Sequence, residues 1–333
     1  MKKYIITIVF LSLINCLSSC YRDIDLEEYR SEPKIVLNSV ISPEIEVMAS
    51  VSKTIFYTDT KNPDVNIKDA DVELYINNEF VEKMLWVEDN NLVNKGIYKS
   101  NNKPTEGDIV KIVVNSSLGT AWAEDVIPPK IEIKDIKLTY RVMDNPNSIL
   151  VNIGGEMVKM KDYEIKYHIT FTDNAEEKNY YCIKIENTDD NQPLGLLDYS
   201  LDPVFKVQQP VIDGASTNKL IEGQGGRTFS DDIINGNTYT MVIRETKNSY
   251  TYEYGENMYR RISLISISKA YYNYLTALLN ISDNKVSQKL DEWGLAEPTP
   301  FYSNIDGGVG IMGSAQNDFR LMDLREILPE YGE

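Results

Sequence analysis

Along most of the chain apolar side chains recur at every second position, the period of a strand that buries one face. Lys34 to Ile41, Ile45 to Ser52, Val72 to Ile76, Phe80 to Val87, Gly96 to Ser100, Ile109 to Val114 and Ala121 to Ile127 are short runs rich in Val, Ile, Tyr and Trp. Gly, Asn, Asp and Pro punctuate them, notably at Asn77-Asn78 and Glu106-Gly107-Asp108. Strands of this length and spacing predict an immunoglobulin-like β-sandwich over residues 33–129, with Trp86 and Trp122 anchoring its core. Pro128-Pro129 breaks the pattern and marks the expected boundary.

A second β-rich domain is expected over 130–333, with strands at Ile131 to Val142, Glu164 to Phe171, Tyr180 to Glu186 and Thr238 to Glu245. Leu201 to Gly226 reads as long and irregular. The period then lengthens. Ser268 is placed to cap a helix in which Tyr271, Tyr272, Tyr274, Leu275, Leu278 and Leu279 recur at helical spacing, and a weaker helix is expected from Asn284 to Trp293. The fold class is therefore mainly β, with a helical insertion near 268–293 in the second domain.

The first residues have a different pattern. Lys2 and Lys3 precede an apolar run from Tyr4 to Ile14, far short of the ~20 residues a membrane span needs and suited to a secretion signal over 1–19. Leu17-Ser18-Ser19-Cys20 resembles a lipobox, in which the Cys20 thiolate accepts diacylglycerol and becomes the acylated first residue of the mature chain. Two or three acyl chains, such as palmitate, at ~0.8 kcal/mol per buried methylene make a stable anchor. Residues 20–32 form an acidic tether whose extended length is at most about 45 Å. Acids just behind a lipidated cysteine resemble the label by which Bacteroidota lipoproteins reach the outer face of the outer membrane. A plain solvated linker is the alternative.

Charge and cysteine usage narrow the partners. The formal net charge is −17, and removing the signal takes away two lysines and no acid. Nucleic acid is excluded as a partner, because affinity for a polyanion comes from a basic excess this chain lacks. Lipid phosphates are repelled too, so membrane contact falls to the acyl anchor. Cys16 leaves with the signal, Cys20 is consumed by lipid and Cys182 is left alone, so no intramolecular disulfide forms. On an alternating strand, Cys182 is expected to be a buried, inert core residue.

Candidate chemistry is sparse. His168 is the only histidine, which excludes a zinc site built on two histidines, and it is expected to be structural or exposed. Gly308-Val309-Gly310-Ile311-Met312-Gly313 matches the dinucleotide fingerprint GxGxxG, but it follows Glu297-Pro298-Thr299-Pro300 near the end of an antiparallel-looking chain. A glycine-lined turn or closely packed edge is the expectation there. Gly223-Gln224-Gly225-Gly226-Arg227 lacks the Lys-Ser/Thr of a phosphate loop. Asp173, Glu176-Glu177 and Asp231-Asp232 offer oxygen ligands for a structural calcium ion without EF-hand spacing, and solvated acidic turns explain them as well. No cofactor is expected. The 22 tyrosines fit both strand cores and recognition surfaces.

A longer pattern resembles a known family. Pro33-Lys34-Ile35-Val36, Ala70-Asp71-Val72, Val126-Ile127-Pro128-Pro129, Phe171-Thr172-Asp173, Asn179-Tyr180-Tyr181 and Phe229-Ser230-Asp231 occur in an order that continues through Ser266-Ile267-Ser268 and Tyr271-Tyr272-Asn273-Tyr274. It ends at Tyr302-Ser303-Asn304-Ile305 and Gly307-Gly308-Val309-Gly310. This order resembles a Bacteroidota lipoprotein family catalogued as a domain of unknown function. Its members resemble accessory partners of TonB-dependent outer-membrane transporters. The resemblance implies a non-enzymatic, lipid-anchored protein facing the cell exterior that captures a ligand of unknown identity beside a transporter barrel. It brings no catalytic residues. A surface hydrolase acting on glycan or peptide through carboxylates is the open alternative.

Overall fold

The computed structural model describes residues 30–56, 59, 65–89, 96–144, 150–153, 155–159, 161–188, 196–208, 226–248, 259–283 and 302–327. The first unit contributes β1 (Ile35–Ile41), β2 (Met48–Lys53), β3 (Asp71–Ile76), β4 (Glu79–Lys83), β5 (Leu85–Glu88), β6 (Gly96–Lys99), β7 (Ile109–Ser116) and β8 (Gly119–Val126). The second begins with β9 (Ile133–Asp144), the hairpin β10 (Leu150–Ile153) and β11 (Glu156–Lys159), then β12 (Lys161–Thr172) and β13 (Tyr180–Asn187). It continues through β14 (Leu196–Asp198), β15 (Gly226–Ser230), β16 (Thr238–Asn248) and β17 (Tyr259–Ile267) to helix α1 (Lys269–Asp283) and β18 (Val309–Asp323). The fold is mainly β and sandwich-like, as the period of two implies. No helix among the described residues is long and apolar enough to cross a membrane.

Alternation explains the layers. Ile35, Leu37 and Ile41 of β1, Val72 and Leu74 of β3, and Val110, Ile112 and Val114 of β7 all point inward and are buried in one apolar cluster. That cluster lies between the four-stranded sheet β4-β3-β7-β8 and the β1-β2-β6-β5 end of an eight-stranded sheet. The expected strand Phe80 to Val87 is two strands in different sheets. Met84 is buried between them, and its amide donates to Val72 O at 2.8 Å, so the chain changes layers there. Trp86 packs against this core, edge-on to Tyr98. Trp122 does not. Ala121 and Ala123 take the inward positions of β8, which leaves the Trp122 ring outside under the Lys111 ammonium, 4.0 Å from its centroid.

The second unit repeats the plan with sheet β14-β16-β12-β9 facing the β15-β13-β17 end of the same eight-stranded sheet, whose full order is β15-β13-β17-β18-β1-β2-β6-β5. β18 makes this possible. Its first half runs parallel to β1, from Val36 opposite Val309 to Ile41 opposite Ser314. Its second half runs antiparallel to β17, from Ile267 opposite Ala315 to Tyr259 opposite Asp323. One strand thus belongs to both sandwiches, and they share a layer.

The linker between the units cannot join a ladder at Pro128-Pro129, because proline has no amide hydrogen. Alternate side chains of β18 bond it instead. Ser314 Oγ donates to Val126 O at 2.5 Å, Gln316 Nε2 to Pro128 O at 2.6 Å and Arg320 Nη2 to Ile133 O at 2.9 Å. Between them Asp318 Oδ2 accepts the Ile133 amide at 2.8 Å.

Ser268 caps α1 as expected, its hydroxyl oxygen accepting the Tyr271 amide at 3.2 Å. The helix covers the outer face of the shared sheet, with the Tyr272 ring 4.7 Å from that of Tyr180 and Thr276 reaching Thr228. The second expected helix, Asn284 to Trp293, lies outside the described residues.

Candidate functional site

On β12 the residues Ile165, Tyr167, Ile169 and Phe171 are buried in the core, so Glu164, Lys166, His168 and Thr170 share the opposite face of the sheet. The flanking strands are in register. Arg141 and Thr139 of β9 stand opposite Glu164 and Lys166, while Arg244 of β16 stands opposite Lys166 from the other side. Three cations therefore converge on one carboxylate. Arg141 Nη2 lies 3.0 Å and Arg244 Nη1 3.4 Å from Glu164 Oε2, and Lys166 Nζ lies 3.7 Å from Oε1. Covered by these side chains, Glu164 is only 6% exposed.

Arg244 is shared with Asp198 of β14, and this bond pushes its guanidinium above its ordinary range. Burial alone would raise the Asp198 carboxyl, but Ser200 and the Arg244 guanidinium hold it below the usual carboxylate range. Arg244 is thus neutralised by Asp198, and Glu164 balances one of the two remaining cations. Arg141 and Lys166 keep side chains that are 65% and 41% exposed. With Thr139, Tyr140 and Glu164 they line a shallow pocket of about 160 Å³. At ~30 Å³ per water that space holds the polar end of a ligand and not a whole drug-sized molecule.

The candidates from the sequence fall elsewhere, apart from His168. His168 sits on the same face, one step along β12, with Nε2 3.2 Å from Thr139 Oγ1. Cys20 lies outside the described residues. Cys182 is not the core residue expected: Tyr181, Ile183 and Ile185 take the inward positions of β13 and leave it half-buried on the other face, where burial pushes its thiol up to about 12, well away from a reactive thiolate. Gly226 and Arg227 open β15, while Gly223 to Gly225 lie outside the described residues.

The GxGxxG segment is the start of β18, laddered to β1 over Val309–Ser314 and not to β17, whose register begins at Ala315, so it is the closely packed edge expected and not a turn. Gly310 has φ +124°, and a Cβ there would lie 2.1 Å from Leu37 O. At Gly313 a Cβ would meet the Tyr271 side chain at 2.6 Å. These glycines allow close packing of strand on strand and helix on strand.

The three aspartates considered for calcium bond to protein groups. Asp173 accepts the Tyr181 hydroxyl at 2.5 Å and the Gly236 amide at 2.8 Å. Asp231 accepts the Asn179 amide at 2.7 Å and pairs with Lys178, which also reaches Asp232. Glu176 is exposed in a turn, where its amide donates to Asn174. Among the described residues no three His, Cys, Asp or Glu side chains converge to hold a metal ion.

Reading the sequence alone missed a set of buried carboxylates that account for part of the tyrosine count. Asp202 accepts the Tyr239 hydroxyl at 2.5 Å and the Val242 amide at 2.8 Å. Glu245 takes the Tyr167 hydroxyl and a forked pair of bonds from Arg260, Nη2 at 2.9 Å and Nε at 3.2 Å, with both charged side chains fully buried. Burial, reinforced by Asp173 and Asp202, drives the Tyr181 and Tyr239 hydroxyls far above their ordinary range and keeps them as donors. Parity held the signal. Glu245 alternates with Tyr239, Met241 and Ile243, and Arg260 with Ile262 and Leu264, so both are core-facing by position.

Residues 21–319 match the family described as a domain of unknown function, DUF4249. The chain belongs to that family. No curated protein matches it. The DUF4249 match covers both sandwiches and runs into β18 as far as Phe319, so the family's unit is the spliced pair and not one sandwich.

Proposed function

We propose that this DUF4249 protein is a lipid-anchored, non-enzymatic accessory of a TonB-dependent transporter at the surface of a Bacteroidota outer membrane, where it captures a ligand for the barrel. The lipobox at Leu17 to Cys20 and the family resemblance support the address. The observation that carries the reading is the polarity of the body. Arg30, the first described residue and itself part of the tether, bonds Asp59 at 2.7 Å and stacks over Phe56, on the first sandwich near the start of β1. From there β18 runs fifteen residues, about 50 Å at ~3.3 Å per residue, into the second sandwich.

The cationic pocket lies toward that far end. Glu245, opposite Ile165 beside the pocket, grips Arg260, which stands opposite Met322 near the end of β18. A chain tethered by its first sandwich therefore carries its recognition face away from the anchor. The test is a gentle detergent pull-down of the lipidated protein from its native membrane, with mass spectrometry of what accompanies it and a Cys20→Ala control. A stoichiometric TonB-dependent barrel that disappears in the control is the expected result. Recovery of the protein alone would sink the stable-partner reading.

A further inference from the structure

We infer that the pocket around Glu164 binds the carboxylate end of a ligand, gripped by Arg141 and Lys166. This deepens the ligand-capture half of the proposed function and rests on it for biological meaning, but it concerns purified protein and is tested without a transporter.

The pocket's donors are held before any ligand arrives. Arg141 uses Nη2 toward Glu164 Oε2 at 3.0 Å and Met143 Sδ at 3.5 Å, which fixes the plane of the guanidinium while its exposed portion faces solvent. Lys166 is held 3.7 Å from the other Glu164 oxygen. A buried carboxylate that orients two exposed cations lowers the side-chain entropy an incoming anion must otherwise pay. Glu164 cannot neutralise both, and Asp198 is already committed to Arg244. Counted over Arg141, Lys166 and Arg244 against Glu164 and Asp198, the cluster carries one excess positive charge on a chain whose net charge is −17.

Geometry favours a carboxylate over a bare charge. With Nη2 engaged by Glu164 and Met143, the Nη1 and Nε donors of Arg141 act singly, and together with the Lys166 ammonium they offer separate partners for the two oxygens of one carboxylate. The Thr139 hydroxyl on the rim adds a neutral partner. The volume admits the acidic end of a peptide or small organic acid while the rest of the ligand stays over the open, threonine-bearing face of Thr170 and Thr240, whose hydroxyls lie 2.8 Å apart.

The experiment is calorimetric titration of the lipidated full chain in detergent micelles with succinate, its neutral diamide and inorganic phosphate. Saturable succinate binding is expected, with no binding of the diamide and weaker binding of phosphate. Arg141→Gln/Lys166→Gln is expected to weaken succinate about tenfold or more, the size of one lost charge-assisted grip. Lys137→Gln, on the same face but outside the pocket, leaves it unchanged. Far-ultraviolet circular dichroism of each variant verifies that it is folded. Absent binding to the wild type, binding retained in the folded double variant, or phosphate binding as tight as succinate would each overturn the assignment. None of these results bears on whether a transporter co-purifies, so the two readings fail separately.

Discussion

The two sandwiches share a sheet and differ in what fills them. In the first, the interior is aliphatic, and its prominent buried polar group is the Tyr98 hydroxyl, which donates to Ile67 O and accepts the Ala70 amide, both at 2.9 Å. The second buries Arg260, Glu245, Asp173 and Asp202 among apolar residues, each in bonds of defined geometry. An aliphatic interior gains stability in proportion to area and tolerates small adjustments. A buried ion pair contributes little net stability, because desolvation offsets attraction, yet losing one partner leaves an uncompensated charge. Comparison of the units separates stability from registration: the first is held by packing, the second also by polar bonds that fit one alignment of its sheets.

The sharpest way to break that contrast is Arg260→Ala. Stranding Glu245 in the core is expected to cost about 3–5 kcal/mol in denaturant unfolding, whereas Arg260→Met with Glu245→Leu and Tyr167→Phe together should restore most of it. A loss below ~1 kcal/mol for the single change would mean that water reaches Glu245 and the core is not dry.

In the first unit Leu74→Ala, at a fully buried site, is expected to cost about 3 kcal/mol by cavity formation. The cost should not vary between pH 5 and 8, since no charge is involved. Strong pH dependence in that variant would contradict the apolar reading of this core.

The joint between the units is expected to respond to pH. Burial pushes Asp125 up to about 6, against hydrogen bonds from Ser268 and Ser314 that pull it down. A carboxyl whose folded value lies above its ordinary 3.8 binds its proton more tightly when folded. Its contribution is therefore most favourable below that ordinary value and is lost as pH rises toward 6. Asp125→Asn should raise stability by about 2 kcal/mol at pH 8 and by almost nothing near pH 4, measured by urea unfolding at both values. The smallest effect expected is from Tyr98→Phe, about 1 kcal/mol for the lost bond and the orphaned Ile67 carbonyl.

What could be read from the sequence followed the range of the forces involved. Asn77-Asn78, with φ +53° and +67°, is the hairpin turn its residues imply, and alternation placed the strands of the first unit other than β4 and β5, which it merged, and β9, β12, β13 and β16 to within a few residues. β17 and β18 escaped. Val309 to Asp323 reads poorly as a strand because two glycines lower its local preference, and only the approach of Leu37 O and Tyr271 explains them. Trp122 does not anchor the core as expected, because Ala121 and Ala123 hold the inward positions of β8. The Glu164 pocket was illegible because its cations come from three strands separated by up to about a hundred residues, and a single sequence gives no registers. His168 marked the right face for another reason.

The shared strand also sets an order of events. Asn38 Oδ1 accepts the Ile311 amide across 273 residues, so β1 lacks one neighbour until almost the whole chain has been made. Closing so long a loop is slow, and contacts of this separation form late. The first unit in chain order is consequently among the last to be finished, since its central strand keeps a bare edge until β18 pairs with it. Without β18 the shared sheet is two incomplete pieces, β15-β13-β17 and β1-β2-β6-β5, so neither module is finished until the last strand joins them.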